Sequence, residues 1–202
     1  MSENEQEPGR GIGRVEAFSD GVIAIIITIM VLELKVPHGD GLGALWALWP
    51  VFLAYVLSYL YVGLYWGNHH RLLGHARIVT NAVVWSNLAL LFGLSLVPFA
   101  TAYLGEHHFS REATQLYLIV LLLPSVGYVW LQQVIRSTGA QHDEARLYHK
   151  RSVRKGAFGV TLYALGFALS FISPWLGIAC AAAVAVFWML PQTRIDYLFA
   201  RG

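Results

Sequence analysis

Few side chains in this 202-residue sequence can ionise, and those near apolar runs are grouped. Arg14, Ser19 and Asp20 precede Gly21-Val-Ile-Ala-Ile-Ile-Ile-Thr-Ile-Met-Val-Leu32, while Asn68-His69-His70-Arg71 closes a second apolar run. A carboxylate at the mouth of a membrane helix is costly, so Asp20 marks a functional site or a buried polar network. Arg14, Ser19, Asn68, His69, His70 and Arg71 are expected at its depth and could satisfy it. Asn87, inside a later apolar run, is a residue type that bonds helix to helix. Asp20 and His70 could instead form the proton relay of a coupled transporter. Adjacent His69 and His70 diverge by about 100° on a helix, so they cannot chelate one metal as an i, i+4 pair does. His107-His108 falls on the opposite side of the membrane, and no Ser/His/Asp or Cys/His set shares one depth. The residues argue against an enzyme, a bound metal or another cofactor.

A second pattern runs through the same segment. Phe18, Val22, Ile25, Ile29 and Leu32 repeat at spacings of four, three, four and three, which puts them on one helical face with Asp20 roughly opposite. Aliphatic stripes serve lipid or core contact. Repeated around a symmetry axis, this one would form a hydrophobic constriction that gates by dewetting. Thr28 flanks the stripe; its hydroxyl could face a pore or bond back to the carbonyl of Ala24 or Ile25. No Thr-Val-Gly-Tyr-Gly filter and no Arg-rich voltage-sensing helix is present.

The elements that must carry these residues are membrane helices. The chain is 56% hydrophobic and only 13% charged, against about 25% charged in a soluble domain. Stretches 41–68, 78–105, 113–135 and 156–193 contain no Asp, Glu, Lys or Arg. A hydrocarbon core about 30 Å thick needs roughly 20 apolar helical residues, so the first three hold one span each and the fourth two, broken at Ser173-Pro174. The sequence predicts an all-α integral membrane protein with six spans, at about 14–36, 43–67, 78–104, 112–136, 156–173 and 175–191, and residues 1–13 as a disordered tail. Cys180 is alone, so no disulfide framework exists.

With the N-terminus inside, twelve Lys and Arg fall on the cytoplasmic side and only Lys35 and Arg111 outside, so both termini are expected in the cytoplasm. Arg146, Lys150, Arg151, Arg154 and Lys155 recur at helical spacing between spans four and five, a solvated loop or a surface for anionic membrane lipids. Pro50, Pro98 and Pro124 are expected to kink spans two, three and four. Gly159, Gly166 and Ser170 in span five, and Gly177, Ala181 and Ala185 in span six, allow close helix approach.

Arg14-x-x-x-Phe18-Ser19-Asp20-Gly21-Val22 and the apolar run to Leu32-Glu33 resemble the first helix of the prokaryotic transmembrane-protein-175 potassium channels. The likeness continues through Asn68-His69-His70-Arg71 and from Asn87 to Pro98-Phe99-Ala100-Thr101. It implies a homotetramer of six-helix subunits in a bacterial inner membrane, conducting K+ and other monovalent cations as a voltage-insensitive leak, with no nucleic-acid partner. It implies that helix one lines the pore, with the constriction at Ile25, Ile29 and Leu32 and a hydroxyl layer at Thr28. The family's polar network falls on Arg14, Ser19, Asp20 and a histidine, for which His70 is favoured over His69.

Overall fold

The computed structural model describes residues 8–138 and 143–189, with side chains for 11–138 and 156–189. The described residues form helices α1 (Pro8–Leu32), α2 (Leu42–Ala47), α3 (Trp49–Leu73), α4 (Asn81–Ser95), α5 (Val97–Glu106), α6 (Arg111–Thr138), α7 (Asp143–Ser170) and α8 (Pro174–Met189). Within the described residues α1 runs from Pro8 to Leu32. Residues 8–13 are therefore helical, where the sequence suggested a tail. α1 also stops at Leu32 rather than at residue 36. Glu33 and Leu34 close the last turn onto the carbonyls of Ile29 and Val31, and Pro37 biases the residue before it away from helix.

At two of the three prolines the helix is interrupted by a single residue just before the proline. The second apolar run divides at Leu48 into short α2 and long α3, with Pro50 in the first turn of α3. The third divides at Leu96, which ends α4 and begins α5, with Pro98 in the first turn. In both places the proline falls in the first turn of the following helix, where it needs no donor, and Asn81–Glu106 remains one span interrupted at Leu96. Pro124 alone of the three lies inside a helix, α6. α3 also continues past its charge-free stretch to Leu73, so His70 and Arg71 occupy its last turn, where basic groups meet the negative end of the helix dipole.

Gly11–Leu32, Trp49–Leu73, Asn81–Glu106 and Arg111–Thr138 are long and apolar enough to cross a membrane. Gly156–Ser170 and Pro174–Met189 are apolar but shorter. α7 extends helically back to Asp143; the side chains of the basic series Arg146 to Lys155 lie outside the described residues.

Lipid is as apolar as Leu, so packing and hydrogen bonds rather than the hydrophobic effect hold such helices together. α4 and α6 meet almost backbone to backbone: a Cβ on Gly93 would lie 2.7 Å from Pro124 N, and one on Gly127 would lie 2.7 Å from Leu90 Cα. α7 and α8 approach at Gly166 and Gly177, glycines from the two small-residue faces noted in the sequence. Leu72, Leu90, Leu94, Leu104, Leu118 and Leu131 fill the space between α3, α4, α5 and α6. The α5–α6 turn carries positive φ at His108 and Phe109. Such backbone costs energy unless its surroundings hold it, and buried Phe109 stacks at 4.9 Å on Trp175 and 6.1 Å on Trp49. α1 lies against α3, α4 and α5.

Candidate pore helix and its polar anchor

α1 has two unlike faces. Ser19, Ile23, Ile26 and Met30, spaced four, three and four, are buried against the bundle. Phe18, Ile25, Ile29 and Leu32 are exposed, Ile25 by 58% and Leu32 by 79%, and Val22 at the edge of that stripe is half-buried. In this subunit, therefore, the aliphatic stripe is bare. Thr28 is also exposed, and its Oγ1 donates to the Ile25 carbonyl at 2.9 Å. With its proton committed to the backbone, the hydroxyl presents only lone pairs outward, which suits a cation rather than an anion.

The buried face is pinned by a triad from three helices. Asn87 Nδ2 of α4 donates to Ser19 Oγ of α1 at 2.9 Å, and Ser19 gives its own proton to the Val15 carbonyl at 2.7 Å. His69 Nε2 of α3 is 2.7 Å from Asn87 Oδ1. A carbonyl oxygen can only accept, so Nε2 carries the proton and Nδ1 keeps a bare lone pair. That Nδ1 is buried without a partner. All three side chains are buried, where an unmade hydrogen bond is costly because nothing replaces it.

The other residues of the expected network go elsewhere. Asp20 is half-buried and its Oδ1 accepts from Trp66 Nε1 at 3.0 Å. His70 pairs through Nδ1 with Glu16, and its ring stacks on Trp66. Neither histidine bonds Asp20, and the preference for His70 in the buried network gives way to His69. Arg71 donates to Asn68 Oδ1 at 2.8 Å. Among the described residues no hydrogen bond or ion pair joins exposed Arg14 to this group. Trp66 and Glu16 were not singled out in the sequence. Their signal was available: Glu16 and Asp20 are i, i+4 on α1, and Trp66 and His70 are i, i+4 on α3, giving two rungs between the helices.

Beyond Leu32, Lys35 Nζ reaches Glu106 Oε1 at the end of α5, 2.6 Å away. The hydrogen bond and the carboxylate's charge raise the lysine pKa above its usual 10.5. Among the described residues no group of three or more His, Cys, Asp or Glu is placed to hold a metal ion.

Fold and anchored first helix together define a multi-pass helical membrane protein. Residues 14–98 match the family described as the endosomal/lysosomal potassium channel TMEM175. A potassium channel of Chryseobacterium is 44% identical over 185 residues, covering 91% of this chain and 95% of that one. A potassium channel of Streptomyces collinus is 36% identical, covering 91% and 94%. The crystal structure of a lysosomal potassium-selective channel TMEM175 homolog from Chamaesiphon minutus superposes with a TM-score of 0.80 at 33% identity, covering 88% of this chain and 96% of that chain. The mouse endosomal/lysosomal proton channel TMEM175 is 32% identical over 143 residues, which is 29% of its length. The chain belongs to the TMEM175 family. Its relatives are ion channels, not enzymes.

Proposed function

We propose that this chain is a voltage-insensitive, potassium-permeable leak channel of a bacterial inner membrane. Four six-span subunits surround an axis, both termini lie in the cytoplasm, and α1 lines the path. The observation that carries the reading is the division of α1 into a face pinned by Ser19, Ile23, Ile26 and Met30 and a bare face carrying Ile25, Thr28, Ile29 and Leu32. A helix held rigidly on one side can keep a ring of aliphatic side chains at a fixed radius. Ile25, Ile29 and Leu32 then narrow the path without coordinating the ion, and the outward lone pairs of Thr28 replace part of its hydration shell. Water is excluded or admitted by the width of that ring.

Names of the bacterial relatives support K+ as the permeant ion, and those of the vertebrate relatives make H+ the natural second ion to test. The rival transporter reading needs Asp20 and His70 in one relay; they occupy separate rungs, on Trp66 and Glu16. The test is reconstitution in liposomes under K+, Na+, Cs+ and H+ gradients. Single-channel steps with K+ carried are expected. Saturable, proton-driven uptake without unitary steps would overturn the channel.

A further inference from the structure

Away from α1, a pocket opens where α3, α6, α7 and α8 converge. Its lining includes Tyr61, Tyr65, Asn68, Ser125, Tyr163 and Trp188. Most of the hydroxyls are already bonded. Tyr61 Oη donates to the Leu121 carbonyl at 2.7 Å, Tyr65 Oη lies 2.9 Å from Ser125 Oγ, and Ser125 also bonds the Leu121 carbonyl at 3.2 Å. Tyr163 differs. It is only 2% exposed, it meets Tyr61 edge to face with ring centroids 6.0 Å apart, and its Oη lies near the Tyr61 hydroxyl but makes no hydrogen bond of ordinary geometry, the Tyr61 proton being given to the Leu121 carbonyl. Within a bilayer no bulk solvent can compensate such a group.

The size of the pocket decides what can compensate it. Its volume is about 30 Å³. One water needs about 10–15 Å³ by this measure, whereas a cavity that accepts benzene has about 150 Å³. The space is thus too small for an aromatic ring and sufficient for roughly two waters. It is also polar enough, since a buried water typically makes two to four hydrogen bonds and the Tyr65–Ser125 pair retains lone pairs beside the Tyr163 hydroxyl. Asn68 extends the polar wall toward exposed Arg71, which bonds its amide oxygen.

We propose that this pocket is an internal hydration site, separate from the ion path. About two ordered waters bond Tyr163 Oη to the Tyr65–Ser125 pair and tie α7 to α3 and α6. Water reaches the site from the Arg71 end, past Asn68. Gly159 keeps part of the space open. A Cβ there would lie 3.7 Å from Trp188 Nε1 and 3.9 Å from Val184 Cγ1, so alanine fits without a clash but takes room from the pocket.

Hydroxyl-radical footprinting of the full-length protein in nanodiscs tests the site, with Tyr117 as internal control. Tyr117 is equally buried, but its hydroxyl is bonded to Ser58 at 2.9 Å and it does not line the pocket. Tyr163 is expected to label several-fold faster than Tyr117, and Gly159→Ala to slow Tyr163 selectively. Equal, slow labelling of both tyrosines overturns the proposal. Tyr163→Phe gives an independent reading. A water-bonded hydroxyl, once removed, lowers Tm by about 2–4 °C. A dry, orphaned hydroxyl leaves Tm unchanged or raises it, and that result also overturns the site.

Discussion

Asn87 on α4 lies with its amide nitrogen 2.9 Å from the Ser19 hydroxyl of α1 and its amide oxygen 2.7 Å from His69 Nε2 of α3. One side chain thereby joins three helices, and both of its ends are used. Asn87→Leu should cost about 1–3 kcal/mol for each polar partner it strands. His69→Gln keeps an N–H facing Asn87 and should lose less than His69→Leu. Thermal unfolding of the three variants in detergent checks the ranking; equal losses for the Gln and Leu variants would show that the donor at Nε2 contributes nothing.

The bare stripe of α1 makes a prediction about current. In the proposed pore Ile25→Asn would wet the constriction and Leu32→Ala would widen it, so each should raise single-channel conductance. Met30 serves as a control, because it is buried on the opposite face. Met30→Leu, a volume-conserving swap, should leave conductance unchanged and cost less than about 1.5 kcal/mol. Unaltered currents in both stripe variants would place Ile25 and Leu32 away from the path.

Asp20 and Trp66 should act as a pair. The carboxylate accepts the indole N–H between α1 and α3, so Asp20→Ala is expected to weaken assembly more than selectivity. Trp66→Phe removes the same bond from the other side. A double-mutant cycle on thermal stability should give coupling of about 0.5–3 kcal/mol. An Asp20→Ala variant with unchanged stability and assembly but reversed ion preference would falsify the structural role.

Much of this arrangement is legible in the sequence because charge-free runs report membrane helices directly. Ser19, His69 and Asn87 stand out as polar groups within apolar surroundings. Pairing is harder to read. Depth along the membrane normal places His69 and His70 together, whereas only the direction each takes around α3 separates the buried one from the exposed one. Trp66 carries no signal of its own in the sequence, because only the fold brings its N–H to Asp20. Pro50 and Pro98 read as kinks, while the apolar runs do not reveal that the helices are interrupted at Leu48 and Leu96. Gly93 and Gly127 escape notice for a similar reason, since each is a single glycine whose significance lies on the facing helix.

The Lys35–Glu106 pair ties the segment following α1 to the end of α5 and carries a definite pH signature. The lysine pKa is raised in the folded protein, so the pair's contribution is complete below 10.5 and is lost as pH climbs through the raised value. The pair is exposed, so high salt should weaken it too. Thermal midpoints of wild type and Lys35→Met should differ at pH 9 and converge at strongly alkaline pH. A gap that persists there would assign the effect to packing by the lysine stem.

Gly93 and Gly127 predict a further large loss. Each faces the other helix's backbone, at Pro124 N and Leu90 Cα, with no room for a methyl group. Backbone cannot rotate aside as a flexible side chain can, so Gly93→Ala or Gly127→Ala must push α4 and α6 apart. Overpacking of this kind costs about 1–3 kcal/mol or more. Gly63 provides the contrast, because a Cβ there meets nothing within 4 Å. Gly63→Ala should be neutral or mildly stabilising, since alanine is the better helix former. Because α1 rests partly on α4, separation of α4 from α6 should also disturb the triad at Ser19, Asn87 and His69. Expression and thermal stability of all three alanine variants measure this, and tolerance of alanine at Gly93 and Gly127 would mean that α4 and α6 pack more loosely than described.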